Sequence, residues 1–301
     1  MSNFIGLDIG GTGIRLVVAN EKHEVIQESK IATSSFAAVS NEDSISLLGA
    51  WITKNVPDLK DVEAIGIGST GPVNLVTGVI DNPDTLPQFS GLDLGGKLSS
   101  LLNREVWIDN DANAAGLSEA ILGAGKNHSS VLCITLGTGL GVSLFKDRKP
   151  IRALDGQHPE GGHISVPNIS APCYCGLDAC WEMSASRLAL EEIAKSRSEF
   201  TLVDGRCDFS NLSEKTWQEF GHRIADGLIT HLVISRPEVV VICGSIIDKW
   251  SSFQNYLVER LETHRGFSET KNIQASTIGD LSGAIGATML AQYKIGKGAR
   301  P

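Results

Sequence analysis

Leu7-Asp8-Ile9-Gly10-Gly11-Thr12-Gly13 and Ile134-Thr135-Leu136-Gly137-Thr138-Gly139-Leu140 align as two copies of one pattern. In each, an apolar run breaks at a glycine turn and resumes, as Ile14 to Ala19 in the first copy and as far as Phe145 in the second. That is the signature of a glycine-turned hairpin. An internal repeat of this length implies a duplicated unit, and hence two similar lobes facing one another across a cleft. Glycine lets backbone N–H groups approach a polyphosphate because no Cβ stands in the way. The two turns therefore read as a clamp for one nucleotide, built from Gly10, Gly11 and Thr12 on one side and Gly137, Thr138 and Gly139 on the other. Asp8, directly before the first turn, supplies a carboxylate suited to Mg2+, with Thr12 and Thr138 adding hydroxyls.

Outward from these turns, apolar runs bounded by glycine alternate with helical patterns, which predicts an α/β protein. Ser40-Asn41-Glu42-Asp43 is N-capping chemistry ahead of a helix with Ile45, Leu48 and Ile52 on one face. Strand-like Ala64–Ile67 leads into Ser69-Thr70-Gly71-Pro72, and Val106-Trp107-Ile108 leads into Asp109-Asn110-Asp111, so polar residues collect at strand ends. Ala112 to Leu122 reads as a helix, Val239 to Cys243 as a late buried strand ending at Gly244, and Ser282 to Tyr293 as a C-terminal helix of small residues. Gly296 to Pro301 reads as a disordered tail. Gly91, four residues and then Gly96-Lys97 imitate a phosphate-binding loop, but Leu98 stands where the metal-binding hydroxyl belongs and no strand precedes it.

The 301 residues, 42% of them apolar, can bury a sizeable core. Acidic side chains outnumber basic ones by 35 to 26, and the resulting charge of -9 would repel a phosphate backbone, so nucleic acid is not expected as a partner. No apolar run reaches the roughly 18 residues needed to span a bilayer. Met1 to Asp8 lacks the pattern of a secretory signal, and a cytoplasmic, reducing location is expected. Three of the six cysteines, Cys173, Cys175 and Cys180, crowd together near His163 among Gly161, Gly162 and Gly176. One imidazole and three thiolates suit tetrahedral Zn2+, and a set that fills all four positions favours a structural over a catalytic ion. His158 is the rival imidazole. Cys133 and Cys243 have apolar neighbours and read as core thiols.

With these pieces in place the chain resembles the ROK family of repressors, open reading frames and kinases. The resemblance rests on Asp8-Ile-Gly-Gly-Thr12, Asp109-Asn-Asp-Ala-Asn113, Leu136-Gly-Thr-Gly-Leu-Gly141, Glu160-Gly-Gly-His163 and Cys173-Tyr-Cys-Gly-Leu-Asp-Ala-Cys180-Trp-Glu182, five motifs in the family's order. It implies an α/β, two-lobed, duplicated ribonuclease H-like fold of the actin/hexokinase type with a central cleft. The expected lobes are residues 1–112, with the helix at about 282–295 packing back on them, and residues 113–281, with a zinc-binding loop at 158–182. It implies ATP-dependent phosphorylation of a monosaccharide hydroxyl, with Asp111 as the catalytic base. Gly71, Asn110, Asp111, Glu160, His163 and Glu182 fall at sugar-contacting positions, and Gly244 near the adenosine. A homodimer is the family habit.

The sequence departs from the family pattern at Gly13, where lysine is frequent, at Ala179, where glycine is usual, and in the glycine-poor Gly141-Val142-Ser143. Gly13-Ile14-Arg15 is similar to relatives that use polyphosphate, which makes polyphosphate the alternative donor to ATP. The family's sugar-sensing regulators carry a DNA-binding domain ahead of the first turn, and here that turn follows Asp8 directly. Thr70, Thr85 and Phe89 are the expected pocket wall that selects the sugar.

Overall fold

The computed structural model describes residues 2–36, 40–167, 169, 171–203, 205–264 and 272–295. The expected tail at 296–301 lies outside the described residues. The first apolar run and its continuation form β1 (Asn3–Ile9) and β2 (Gly13–Asn20), paired antiparallel around the glycine turn, and β3 (Val25–Ala32) adds to β2. Helix α1 (Asn41–Asn55) follows, its first turn capped by the Ser40 hydroxyl, which accepts from Asp43 N. Strand β4 (Val62–Ser69) then runs parallel to β1, and helix α2 (Leu94–Leu102) leads to β5 (Glu105–Asn110), parallel to β4. The first sheet therefore has the order β3-β2-β1-β4-β5.

Helix α3 (Asp111–Ile121) crosses to the second unit, where β6 (Ser130–Leu136), β7 (Leu140–Lys146) and the short β8 (Lys149–Pro150) form an antiparallel meander. After a long loop come α4 (Trp181–Ala185), α5 (Arg187–Ser196), a two-stranded ribbon of β9 (Leu202–Val203) and β10 (Arg206–Cys207), and α6 (Glu214–Ser235). Strand β11 (Val239–Cys243) runs parallel to β6, α7 (Trp250–Glu262) follows, and β12 (Ile273–Ala275) runs parallel to β11. The second sheet, β8-β7-β6-β11-β12, repeats the order and strand directions of the first. The duplicated, two-lobed α/β fold expected from the paired glycine turns is the fold observed.

Both central strands are buried on both faces, because each sheet is covered on each side. Ile5, Leu7 and Ile9 of β1 join Ile65 and Ile67 under α1 and α2, while Leu132, Ile134 and Leu136 of β6 pack with Trp181, Phe220, Ile224 and Leu228. The opposite faces meet α3 and α8 (Ser282–Ile295), the two helices packed between the sheets. Close approach there depends on absent side chains. A Cβ on Gly66 of β4 would stand 1.8 Å from Ala287 O, and one on Gly286 would stand 1.7 Å from Ala114 O. Gly66→Ala is accordingly expected to unseat α8 and destabilise the chain by about 3 kcal/mol, the upper part of the usual range for overpacking. The urea midpoint at constant slope checks this; a midpoint within error of the unsubstituted chain would remove the close helix–sheet contact from the account.

The imitation phosphate loop is ordinary capping: Asp93 Oδ1 accepts from Gly96 N at 2.7 Å at the start of α2, and Lys97 pairs with Glu42 at 2.8 Å. Cys133 and Cys243 are core thiols on adjacent strands, 3.5 Å apart and fully buried. Among the described residues, no helix is long and apolar enough to cross a membrane.

Candidate active site

The parallel strands of the first sheet end together. Asp8 lies opposite Gly68, and Gly68 opposite Asp109, so the polar segments after β1, β4 and β5 share one edge. Thr70 links them: its N–H donates to Ile9 O at 3.0 Å and its hydroxyl donates to Asp111 Oδ2 at 3.0 Å. Asn110 is the N-cap of α3, its Oδ1 accepting from Ala112 N at 2.8 Å. The cap fixes the orientation of the Asn110 amide, and its Nδ2 would lie 3.1 Å from a Cβ on Gly71, with Glu160 Oε1 3.8 Å from the same point. Capping and presentation to the cleft are thus two uses of one residue.

Asp8 alternates with Leu7 along β1 and so faces α8. Its carboxyl carbon would lie 2.8 Å from a Cβ on Gly283, which places the carboxylate at the N-terminal end of that helix, where an anion is favoured. Burial and the nearby Asp111 carboxylate nonetheless push its pKa up to about 7, with Arg15, 3.9 Å away, opposing. Burial is also the main cause that raises Asp111, with the Thr70 hydroxyl pulling the other way and Glu182 adding to the rise. Glu160 is held up at about 7 by burial, then by Asp111 and Glu182. Asp8, Asp111, Glu160 and Glu182 therefore face a common crevice. Such a group of crowded carboxylates, Asp8, Asp111 and Glu182 half-buried and Glu160 more exposed, favours partners that bring hydroxyl donors or cations.

The second turn borders the same crevice. Gly137 N donates to Gly139 O at 3.0 Å, as Gly10 N donates to Gly13 O at 3.1 Å in the first. Glu182 Oε2 accepts from Leu140 N at 2.8 Å, so the carboxylate expected only at the sugar also anchors this turn. Gly244 takes φ +98, and a Cβ there would meet Leu136 O at 2.4 Å, which seats it against the strand entering the turn.

The loop between β8 and α4 carries the remaining candidates. His163 Nδ1 lies 3.5 Å from Cys173 Sγ, and Cys175 Sγ lies 3.5 Å from Cys180 Sγ. Ligand atoms of all four residues fall within 4.8 Å of one another. Bonds of about 2.0–2.1 Å to nitrogen and 2.3 Å to sulfur at tetrahedral angles need similar ligand separations, so the set fits a metal ion. Ala179, where the family usually has glycine, adopts φ +60 in this loop, a left-handed conformation that costs a residue with a Cβ about 1 kcal/mol. His158 lies apart from the thiols; burial drops its pKa to about 4, with Asp109 and Arg152 nearby.

Several neighbours of the site gave no sequence signal. Arg152 Nη2 pairs with Asp109 Oδ2 at 2.5 Å, and Asp109 Oδ1 accepts from Asn110 N at 2.8 Å and Asn113 Nδ2 at 3.0 Å. This pair, Asp109 buried and Arg152 half-buried, ties the loop that carries Glu160 to the strand end that carries Asp111. Arg187 brings a guanidinium to the second turn, donating from N to Gly137 O at 2.8 Å and from Nη2 to Thr138 Oγ1 at 3.4 Å. Of the expected pocket wall, Thr70 reaches Asp111 and Thr85 lies beside Gly11. Phe89 does not line the site; it is fully buried in the first core against Phe36, its ring centroid 5.5 Å away. An aromatic after a polar turn resembles a pocket residue until the packing of α1 shows which way it faces.

Comparison with known proteins returns the same pattern. The model of the ROK family matches residues 4–294. A glucokinase of Thermotoga maritima is 26% identical over 313 residues, covering 97% of this chain and 98% of the relative. The crystal structure of a ROK family glucokinase from Streptomyces griseus, in complex with glucose and AMPPNP, is 27% identical, covers 97% of this chain and 100% of its own, and superposes with a TM-score of 0.83. The xylose repressor of Bacillus subtilis is 23% identical over 294 residues, covering 95% of this chain and 76% of the repressor.

Proposed function

The chain belongs to the ROK family and is a sugar kinase, and from that premise we propose that it transfers the γ-phosphoryl group of ATP to a hydroxyl of a free aldohexose, glucose first among the candidates. The observation that carries the proposal is Asp111: a half-buried carboxylate, oriented by Thr70, shares one crevice with two glycine turns and with Glu160 and Glu182. In this reading Gly10, Gly11, Thr12, Gly137, Thr138 and Gly139 cradle the phosphates, Gly244 borders the adenosine, and Gly71, Asn110, Glu160, His163 and Glu182 hold the sugar. Residues 1–112 with 282–295 form one lobe and 113–281 the other.

Phosphoryl transfer through a loose transition state asks the protein mainly to position reactants and offset charge. The sugar oxygen forms the new bond to γ-phosphorus, the bond from γ-phosphorus to the β-bridging oxygen breaks, ADP departs, and the hydroxyl proton goes to Asp111. Asp8 is the carboxylate that would hold the Mg2+ accompanying ATP; that ion, when bound, offsets phosphate charge. His163, Cys173, Cys175 and Cys180 would hold Zn2+ as a structural ion. Their part is to fix the His163 ring and the start of α4, and with it Glu182.

A coupled assay of ADP release across hexoses and N-acetylhexosamines tests the proposal. ATP hydrolysis should require sugar and be fastest with glucose, and polyphosphate should not replace ATP. The repressor match supports a second reading, sugar-sensing regulation; saturable sugar binding with no ADP release from any member of the panel would favour it and sink the kinase proposal.

A further inference from the structure

Tyr174 sits between two cluster cysteines in the tight turn Cys173–Leu177, where Gly176 N donates to Cys173 O at 3.0 Å and Cys173 N donates to Leu177 O at 3.0 Å. Its side chain is 69% exposed, yet its hydroxyl turns inward to within 3.1 Å of His163 Nε2, and the two rings meet edge to face at 5.2 Å and 89°. The other imidazole nitrogen, Nδ1, faces Cys173 Sγ. Nε2 is therefore the nitrogen that opens on the crevice, and the phenol occupies it.

The proton inventory follows from that orientation. Were Nδ1 to serve as a metal ligand beside the thiols, Nε2 would carry the ring proton and donate to the phenolic oxygen. The phenol proton then needs an acceptor. Partial burial and then the charge of Glu182 hold that proton on Tyr174, and Glu182 is a carboxylate near enough for its charge to be felt there. A sugar hydroxyl in this corner would likewise accept from His163. The phenol and an alcohol are thus equivalent partners for His163, and only one can occupy the corner.

We propose that Tyr174 is a placeholder for a sugar hydroxyl: its phenol holds the corner at His163 Nε2 and swings outward when the sugar binds. The inference rests on the sugar-kinase reading of the same crevice and adds a residue that sets sugar affinity and selectivity. The movement is easy because most of the ring already faces solvent, so little packing is lost. The competition weakens binding of a sugar that carries the hydroxyl. It also cushions binding of a deoxy analogue that lacks it, because Tyr174 can stay and leave no buried group unpaired.

The test compares the unsubstituted, metal-loaded protein with Tyr174→Phe, which keeps the exposed ring and removes the competitor. Calorimetric titration with glucose, without nucleotide, should give a Kd about fivefold lower in the variant, the effect of one ordinary hydrogen bond. In ADP release the change should appear in KM rather than kcat, and monodeoxyglucoses should be discriminated against more strongly than before. An independent reading uses 3-fluorotyrosine: the chain has three tyrosines, so the fluorine resonance missing from the variant belongs to Tyr174 and should shift when glucose saturates the unsubstituted protein. An unchanged or higher glucose Kd in the variant, or a resonance that ignores glucose, overturns the placeholder while leaving the kinase intact. Failure of the unsubstituted protein to bind or turn over glucose removes the sugar site, and the placeholder with it.

Discussion

Asp111→Asn is expected to lower kcat by about 10²–10⁴, the usual contribution of a positioned general base, while changing sugar and nucleotide affinities only a few-fold. The substitution is nearly isosteric, and its amide oxygen can still accept from the Thr70 hydroxyl that holds Oδ2 at 3.0 Å. The start of α3 should also survive, because Asn110 independently caps Ala112 N at 2.8 Å. What disappears is the basic oxygen that would receive the sugar proton. Loss of that charge should lower the pKa of Glu160, since Asp111 is the second cause, after burial, that holds it near 7. Steady-state ADP release gives kcat, and calorimetry gives the two affinities. Turnover within threefold of the unsubstituted chain would take the base role away from Asp111; a collapse of sugar binding together with kcat would mean that the carboxylate acts in the ground state as well.

The parts legible in the sequence were those carried by short, local chemistry. Gly10 to Gly13 and Gly137 to Gly139 announced their turns because few other residues allow that backbone approach, and their alignment announced the duplication that the two sheets repeat strand for strand. Ser40 and Asn110 announced caps. Contacts formed across the fold were not legible. Arg152 follows Lys146, Arg148 and Lys149 with nothing to single it out among them, and only the return of its loop to the end of β5 pairs it with Asp109. Gly66 and Gly286 look like ordinary small residues until α8 is laid against β4 and α3. The bond from Leu140 N to Glu182 spans 42 residues, and it gives the carboxylate a structural duty that motif reading had assigned wholly to the sugar. Phe89 shows the converse error, a core residue read as pocket lining.

Cys180→Ser is the second substitution with a large expected effect, and it probes how metal and sugar sites are connected. Cys180 is fully buried, lies 3.5 Å from Cys175 Sγ, and immediately precedes α4, so only Trp181 separates it from Glu182. A serine hydroxyl is a poor substitute for thiolate toward Zn2+. The protein as purified should contain about one zinc ion per chain, and the variant a small fraction of that. With the ion gone, the Nδ1 side of His163 keeps a 3.5 Å contact to the Cys173 thiol, and the imidazole would no longer present Nε2 in a fixed direction. Sugar affinity should fall about 10–100-fold, the range typical when support for a site's ligands is removed. ATP affinity should fall less, since the first turn and Asp8 lie on the other sheet and only the second turn is anchored by Glu182. Elemental analysis of metal content, read beside calorimetric affinities for glucose and ATP, checks all three statements. Unsubstituted protein stripped of metal that still binds glucose normally would break the connection, because the imidazole would then be oriented by the surrounding chain alone.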